Sequence, residues 1–314
     1  MLITHSDCLN HRPPIGHPET PERLIAVLDA FSTAEFVDLV RLDAPIGRDE
    51  DIARVHPEDH MRRIEACAPK EGEGVFALDG DTFLSSGSLL AARRAVGAVI
   101  AGIDGVMSGE IDCAFCATRP PGHHAQTDQA MGFCIWNSAA VGALYARAAY
   151  NLTRVAVIDF DVHHGNGSQE IAERDADFFY ASIHQGGIYP GSGHEKETAF
   201  GNLINVPLPA HTSSGAWRAA FAERIIPALK AFGAELVIVS AGFDGHHRDP
   251  LASFDLVAED FSYATQLILQ VTQGKLVSTL EGGYHLGALA QCARAHVGAM
   301  LAYDKHAGGV LYSG

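Results

Sequence analysis

The stretch Arg154–Ser168 reads RVAVIDFDVHHGNGS. It opens on Val155-Ala156-Val157-Ile158, an unbroken apolar run of the kind that fills a parallel strand buried on both faces. It then turns polar, with Asp159, Asp161, His163 and His164, and passes Gly165 and Gly167 towards a helix expected at about 168–174. In an open parallel sheet, ligands bind beyond the carboxyl ends of the strands. The segment therefore delivers carboxylates and imidazoles to the place where such a sheet does its chemistry. Asp161 and His163 are two apart, and in an extended chain they point to the same side. A carboxylate oxygen and an imidazole nitrogen so placed suit a zinc-like ion. An acidic turn with surface histidines is the simpler reading of a lone D-x-H. Here the acids follow a core strand, where desolvation is costly without a cation or donors, and a metal is the better reading.

The same pattern, strand then polar cluster, recurs on either side. A first strand at Leu2–His5 precedes HRPPIGHPETPERL, with His11 and His17 read as loop histidines near a rim and Pro21 opening a helix through Ala30. A second strand is expected at Phe36–Leu42, then a helix at Asp51–Cys67 with His56 and His60 solvated. LDGDTFLSSGS (78–88) reads as a polar loop. Its Asp79 and Asp81 are turn acids by default, or line an entrance. A long Ala-rich helix at about 89–107 follows. The next strand, about 112–117, ends in RPPGHHAQTDQAMGFCIWNSAA. Its rigid Pro-Pro-Gly turn presents His123 and His124, and Gly132-Phe133-Cys134 offers close backbone approach beside an aromatic wall. Asn137 begins a helix at about 138–149.

Beyond the opening stretch come a strand at Phe178–His184, the Gly-rich QGGIYPGSG with Ile188 and Tyr189 as wall residues, and a strand at about 203–207. A helix near 214–232 and the strand Leu236–Ser240 lead to Asp244. A helix at 259–273, the strand Lys275–Leu280, Glu281-Gly282-Gly283-Tyr284 and a final helix at about 285–302 complete the chain. Alternating strands and helices predict a parallel α/β sheet with helices on both faces. Polar clusters that all follow strands belong to one site.

The 314 residues are 47% apolar and 19% charged, without linker, repeat or charge block. One domain spanning 1–314 is expected. The net charge of −16 argues against a nucleic-acid partner. The start lacks a secretory signal, and no apolar run is long enough to span a membrane. The six cysteines are scattered, as in a reduced cytoplasmic protein. Cys113-x-x-Cys116 resembles a metal motif, but three residues along a strand point to opposite faces, which favours two core cysteines.

Asp161, His163 and Asp244 supply three metal ligands and leave positions open for water and substrate. The attacking water needs a base and the leaving amine an acid, roles that His123 and His124 fit. Asp159 and Asn166 can orient those rings, and Tyr284 can donate to a developing oxyanion. These roles describe metal-assisted amide hydrolysis.

With these residues in hand, RPPGHHA, GFCIWN, IDFDVHHGNGSQ, SIHQGGIYPGSG, NVPL, SAGFDGHHRDPL and LEGGY resemble the zinc-dependent histone deacetylase family, over residues from about 11 to 285. HHGNG and LEGGY are closer to its class II branch and bacterial amidohydrolases. The resemblance implies the arginase–deacetylase fold, an α/β architecture with a central eight-stranded parallel sheet. It implies one Zn2+ on Asp161, His163 and Asp244, His123 paired with Asp159, His124 paired with Asn166, and Tyr284 as the transition-state tyrosine. It also implies a substrate channel lined by Gly132, Phe133 and Tyr189, where Phe is commoner than Tyr at the last position, with Leu251 and Asp81 near its mouth. A structural K+ on Asp159, Asp161, His163, Ser182 and Ile183 follows in the same way. His164, His184, Asn202, His246 and His247 are read as structural or solvated, and His194 and Glu195 as rim residues.

The implied substrates are an acylated lysine peptide or a small acylated amine. Polyamine-preferring relatives tend to carry an acid near the position of Leu251, so the apolar residue leans against polyamines, while the acidic net charge leans weakly the other way. Relatives of this kind are often homo-oligomers. A two-metal ureohydrolase of the same fold needs extra bridging acids, but Gly165 and His246 stand where they would be. A non-catalytic acyl-lysine module has no support, because each catalytic position is filled.

Overall fold

The computed structural model describes residues 1–303. Its strands are β1 (Leu2–Thr4), β2 (Arg41–Asp43), β3 (Phe76–Ala77), β4 (Phe83–Leu84), β5 (Cys113–Cys116), β6 (Val155–Asp159), β7 (Phe178–Gln185), β8 (Leu203–Leu208), β9 (Leu236–Ala241) and β10 (Leu276–Leu280). Eight of them form one sheet in the order β2-β1-β5-β10-β9-β6-β7-β8. Every pairing in that sheet is parallel, as the unbroken apolar runs predict. Residues 304–314 of the expected domain lie outside the described residues.

The strand period of two decides which helices each side chain meets. Val155 and Val157 of β6 share a core with α4 (Ser88–Ser108) and α5 (Ser138–Tyr150), through Val99, Ile103, Ala139 and Ala143. Ala156 and Ile158 face the other way. They join a core built from α1 (Pro21–Ala30), α9 (Ala258–Thr272) and α10 (Leu286–Leu301), through Leu24, Val27, Ile268, Leu289 and Val297. Each Val, Leu or Ile side chain so removed from water contributes about 1.5–3 kcal/mol. Cys113 and Cys116 fall in the two opposite cores, and all six cysteines are free. Among the described residues no helix is long and apolar enough to cross a membrane.

Four local expectations need correction. The strand expected at Phe36–Leu42 is a 3-10 turn, Ala34–Phe36, followed by the short edge strand β2. Phe36 turns inward onto Phe31, so the segment buries one aromatic ring instead of alternating. The helix expected at Asp51–Cys67 divides into α2 (Asp49–Ile52) and α3 (Glu58–Ala66), with Pro57 as the residue before α3. Proline has no N–H for the ladder, which ends one helix and opens the next. The polar loop at 78–88 holds the turn and second strand of the β3–β4 hairpin, which begins at Phe76 and whose two-residue strands are too short to show a period. Beyond α6 (Asn166–Ala172), the helix expected at 214–232 is two segments, α7 (Ser214–Ala220) and α8 (Ile226–Phe232), joined by a π-helical turn at Phe221–Ile225. That turn precedes Pro227, where the α ladder loses a donor.

His56 and His60, expected in solvent, are buried against Trp136. Nε2 of His56 accepts the Asn137 N–H at 2.9 Å and so carries no proton. In α10, His296 is equally constrained. Thr265 Oγ1 donates to Phe261 O, which leaves it to accept from His296 Nδ1–H at 2.6 Å, while His296 Nε2 accepts from Ser278 Oγ at 2.7 Å. Burial pushes both imidazoles down to about 3, with His60 adding to the effect on His56. Between pH 6.5 and 3 the unfolded chain therefore binds two protons that the folded chain refuses, and stability falls as pH falls. At about 1.4 kcal/mol per pH unit for each ring, the two cost roughly 4 kcal/mol at pH 5. Urea unfolding at pH 7.5 and 5.0 checks this. In His296→Gln the acid-induced loss should shrink by about 2 kcal/mol. An unchanged loss would mean that His296 is not held neutral.

Candidate active site

β5, β10, β9 and β6 are consecutive neighbours at the centre of the sheet. Their registers bring Cys116 beside Thr279, Leu280 beside Ala241 and Ser240 beside Asp159. The four loops that follow them leave the sheet side by side. Strands that are distant in sequence order thus deliver their polar ends to one place.

Asp161, His163 and Asp244 converge there. Each offers a ligand atom, and the three atoms lie within 4.8 Å of one another. His163 Nδ1 is 3.2 Å from Asp161 Oδ1 and 2.9 Å from Asp244 Oδ2. Main-chain donors aim both carboxylates. Asp161 accepts the N–H groups of His163 and Gly282 at 2.9 and 2.7 Å, and Asp244 accepts that of Val162 at 2.9 Å. A Cβ at Gly242 would collide with the Asp161 carboxylate, and one at Gly282 with both acids. Two fully buried carboxylates around one imidazole form a donor set of two oxygens and one nitrogen, which fits a zinc-like divalent cation. Against the penalty of burial, His123 and His163 hold Asp161 well below the usual carboxylate range.

Above this cluster stand the tandem histidines, their rings 4.0 Å apart. His123 Nδ1–H donates to Asp159 Oδ2 and His124 Nδ1–H to Asn166 Oδ1, each at 2.9 Å. The two partners differ in charge, and this separates the rings. Burial works to lower His123, but the carboxylates of Asp159, Asp161 and Glu281 outweigh it and raise it to about 10. His124 has a neutral amide as its partner, and burial, then His123 and His163, push it well below 6.5. Tyr180 supports Asp159 from β7 by donating its hydroxyl to Oδ2 at 2.9 Å.

The Tyr284 ring lies edge-on to Phe133 at 5.8 Å, and His124 lies edge-on to Tyr189 at 5.1 Å. Burial raises the Tyr284 phenol well above 10, so it keeps its proton. Gly132 has φ +57°, and a Cβ there would strike the His124 ring. Asp81 is half-buried on the β3–β4 connection, and its main-chain oxygen accepts from His17 Nε2 at 3.0 Å. Its carboxyl is raised first by burial and then by Asp79, against a hydrogen bond from the Gly132 main chain. Leu251 is exposed, two residues beyond Asp249, whose carboxylate accepts the Tyr284 N–H at 2.7 Å. Ser182 pairs with Asp159 across β6 and β7, and Ile183 follows it.

The family model of the histone deacetylase domain matches residues 17–300. The chain belongs to the histone deacetylase family. The histone deacetylase-like amidohydrolase of Pseudomonas aeruginosa is 38% identical over 87% of this chain and 74% of that protein. Type-2 histone deacetylase 1 of Dictyostelium discoideum is 31% identical over 96% of this chain. The chain spans 28% of that longer relative. The crystal structure of the HDA15 HD domain superposes with a TM-score of 0.91 at 32% identity, covering 96% of this chain and 87% of that one. The arginase–deacetylase fold of the family is therefore the fold of this chain.

Several residues that serve the site in this family member carry no motif of their own. Glu19 is fully buried and bridges Arg23 and Arg119, with N–O distances of 2.9 and 2.6 Å. Arg23 donates to the carbonyls of Glu281 and Gly283, at 2.5 and 2.6 Å, and its guanidinium lies 4.8 Å from the Tyr284 ring centre. The available signal was weak: Arg23 and Glu19 are four apart, and Arg23 shares a helix face with Val27. His11, read as a loop residue, is buried between Glu19 and Ser88. His164 and His184 are buried and bonded to Ser192 and Ser182, whereas His194 and Glu195 are exposed. Asn202 closes a turn by donating to three carbonyls, those of Ala172, Asp175 and Phe178. His247 bonds the Leu256 carbonyl, and His246 accepts the Arg248 N–H.

Proposed function

We propose that the protein is a zinc-dependent amide hydrolase that removes acetyl or other short acyl groups from lysine side chains or similar primary amines. The observation that carries this reading is the single buried cluster of Asp161, His163 and Asp244, set below two differently tuned histidines and beside a protonated tyrosine. Among the described residues it is the one cluster able to hold a metal, which favours this reading over a two-metal ureohydrolase. A Zn2+ ion held by these three side chains would supply a Lewis acid for the scissile carbonyl and the attacking water.

The chain's own groups do the rest. His124 has its Nδ1–H committed to Asn166 and presents Nε2 as the base that takes a proton from water. The same nitrogen returns that proton to the leaving amine. His123, kept cationic by Asp159, stabilises the negative charge that builds up. The Tyr284 hydroxyl donates to the new oxyanion. Phe133 and Tyr189 would be aromatic walls for a lysine-like methylene chain, the tyrosine hydroxyl making one of them more polar, and the exposed Leu251 adds no charge at the mouth. A K+ ion near Asp159, Asp161, His163, Ser182 and Ile183 is part of the proposal, supported by the register that sets Asp159 beside Ser182. Six free cysteines fit a cytoplasmic setting. A homo-oligomer remains part of the proposal, as do partners limited to acylated peptides or amines.

Chelation should abolish hydrolysis of an acetyl-lysine reporter, and added zinc should restore it. Activity indifferent to the chelator would end the metal mechanism. A panel of acetyl-lysine peptides, acetylated polyamines and simple acylated amines then identifies the substrate class. Peptides are expected to be preferred, and a polyamine preference would overturn that assignment.

A further inference from the structure

The turn that presents the tandem histidines begins with Pro120 and Pro121, which have no N–H. Its first two amide donors, Gly122 and His123, both end on one oxygen. Glu281 Oε2 accepts them at 2.6 and 3.1 Å, while Oε1 accepts the Ser240 hydroxyl at 3.2 Å. Glu281 is fully buried. Its own N–H donates to Ala241 O at 3.0 Å, and its carbonyl accepts from Arg23 at 2.5 Å. One residue therefore touches the loop after β5, the end of β9 and α1, three positions before Tyr284. On its other side His123 is clamped as well, because its carbonyl accepts the N–H groups of Gly167 and Ser168 at 3.1 and 3.3 Å.

We propose that Glu281 is a positioning residue, whose side-chain oxygens hold the histidine turn in register with the tyrosine loop. This inference rests on the hydrolase reading above. Glu281 acts through the main chain of Gly122 and His123; its charge adds to the field on the His123 ring, but Asp159 and Asp161 come first there and are kept in every variant compared. What matters is where the acceptor oxygen sits. Glutamine places one oxygen at the same reach for both N–H groups and turns its NH2 towards the Ser240 oxygen. Aspartate keeps the carboxyl group but withdraws the acceptor by one methylene. Misplacement by about 1 Å of a group that sets reacting geometry costs up to a hundredfold in rate.

The test compares Glu281→Gln with Glu281→Asp in the full, metal-loaded chain. Glu281→Gln should keep kcat within about threefold of the parent. Glu281→Asp should lose ten- to a hundredfold in kcat, with KM and bound metal unchanged. In 15N-histidine spectra the His123 Nδ1 proton should keep its resonance in Glu281→Gln and shift or broaden in Glu281→Asp. An aspartate variant as fast as the parent, or a glutamine variant as slow as the aspartate one, would overturn the proposal. So would a loss that appears in KM or metal content. If the parent itself fails to hydrolyse the reporter, the hydrolase reading falls, and the histidine resonance alone decides the role of Glu281.

Discussion

Asp244→Asn should yield a folded protein that no longer retains its metal. The substitution is chosen for what it keeps. Asp244 Oδ1 accepts the Val162 N–H at 2.9 Å, and an asparagine oxygen can do the same. The other oxygen faces His163 Nδ1 at 2.9 Å, and there the amide nitrogen offers no lone pair to a cation. One anionic ligand of three is lost while the loop stays anchored. Metal analysis of the purified protein should fall from about one equivalent to near zero. A Lewis acid in this role supplies several kcal/mol of transition-state stabilisation, and about 5 kcal/mol is between three and four decades in kcat. Asp161→Ala should lose the metal too, at a greater cost in stability. Its carboxylate is the acceptor for Gly282 and His163, and two buried N–H groups left unpaired cost about 1–3 kcal/mol each. Full metal content in Asp244→Asn would remove Asp244 from the ligand set.

Tyr284→Phe should leave the metal and the fold in place and lower kcat by two to three decades, with KM little changed. The ring keeps its supports, because Arg23 stacks on its face and Phe133 meets it edge-on. Only the hydroxyl is lost. Burial keeps that group a phenol across the working pH range, so it is an uncharged donor poised for the charge that appears on the carbonyl oxygen. Removing one oxyanion donor costs a hundred- to a thousandfold in kcat. The loss should be equal in kcat and kcat/KM, because the interaction is made in the transition state alone. A variant with a near-normal rate would exclude Tyr284 from the role.

Much of this site was legible in one dimension because its signals are local. An apolar run followed within two residues by D-x-D-x-H needs no partner to be seen. The tandem histidines after a Pro-Pro-Gly turn and the tyrosine after two glycines are equally self-contained. The supporting residues were not legible, because each takes its meaning from a distant element. Glu19 and Arg119 are 100 positions apart, and either alone reads as a surface charge. Glu281 looked like part of a glycine turn until its carboxylate met Gly122 and His123, 159 and 158 positions away. His56 and His60 lie in a segment whose own sequence shows no reason for burial. Their burial is decided by Trp136, which arrives from another loop.

The sequence by itself determined the parallel α/β class, the family and the set of chemical groups at the strand ends. Backbone period and side-chain chemistry are written into neighbouring residues, and they survive without a third dimension. Tertiary structure alone decided how those groups are tuned. The segment Arg154–Ser168 carries Asp159 and Asn166 a few residues apart, yet one meets His123 and the other His124. Which ring holds a charge depends on that pairing inside a buried space, where a carboxylate and an amide of similar shape exert very different fields. The order of strands in the sheet sets β5, β10, β9 and β6 side by side, and that adjacency turns four separate loops into one site.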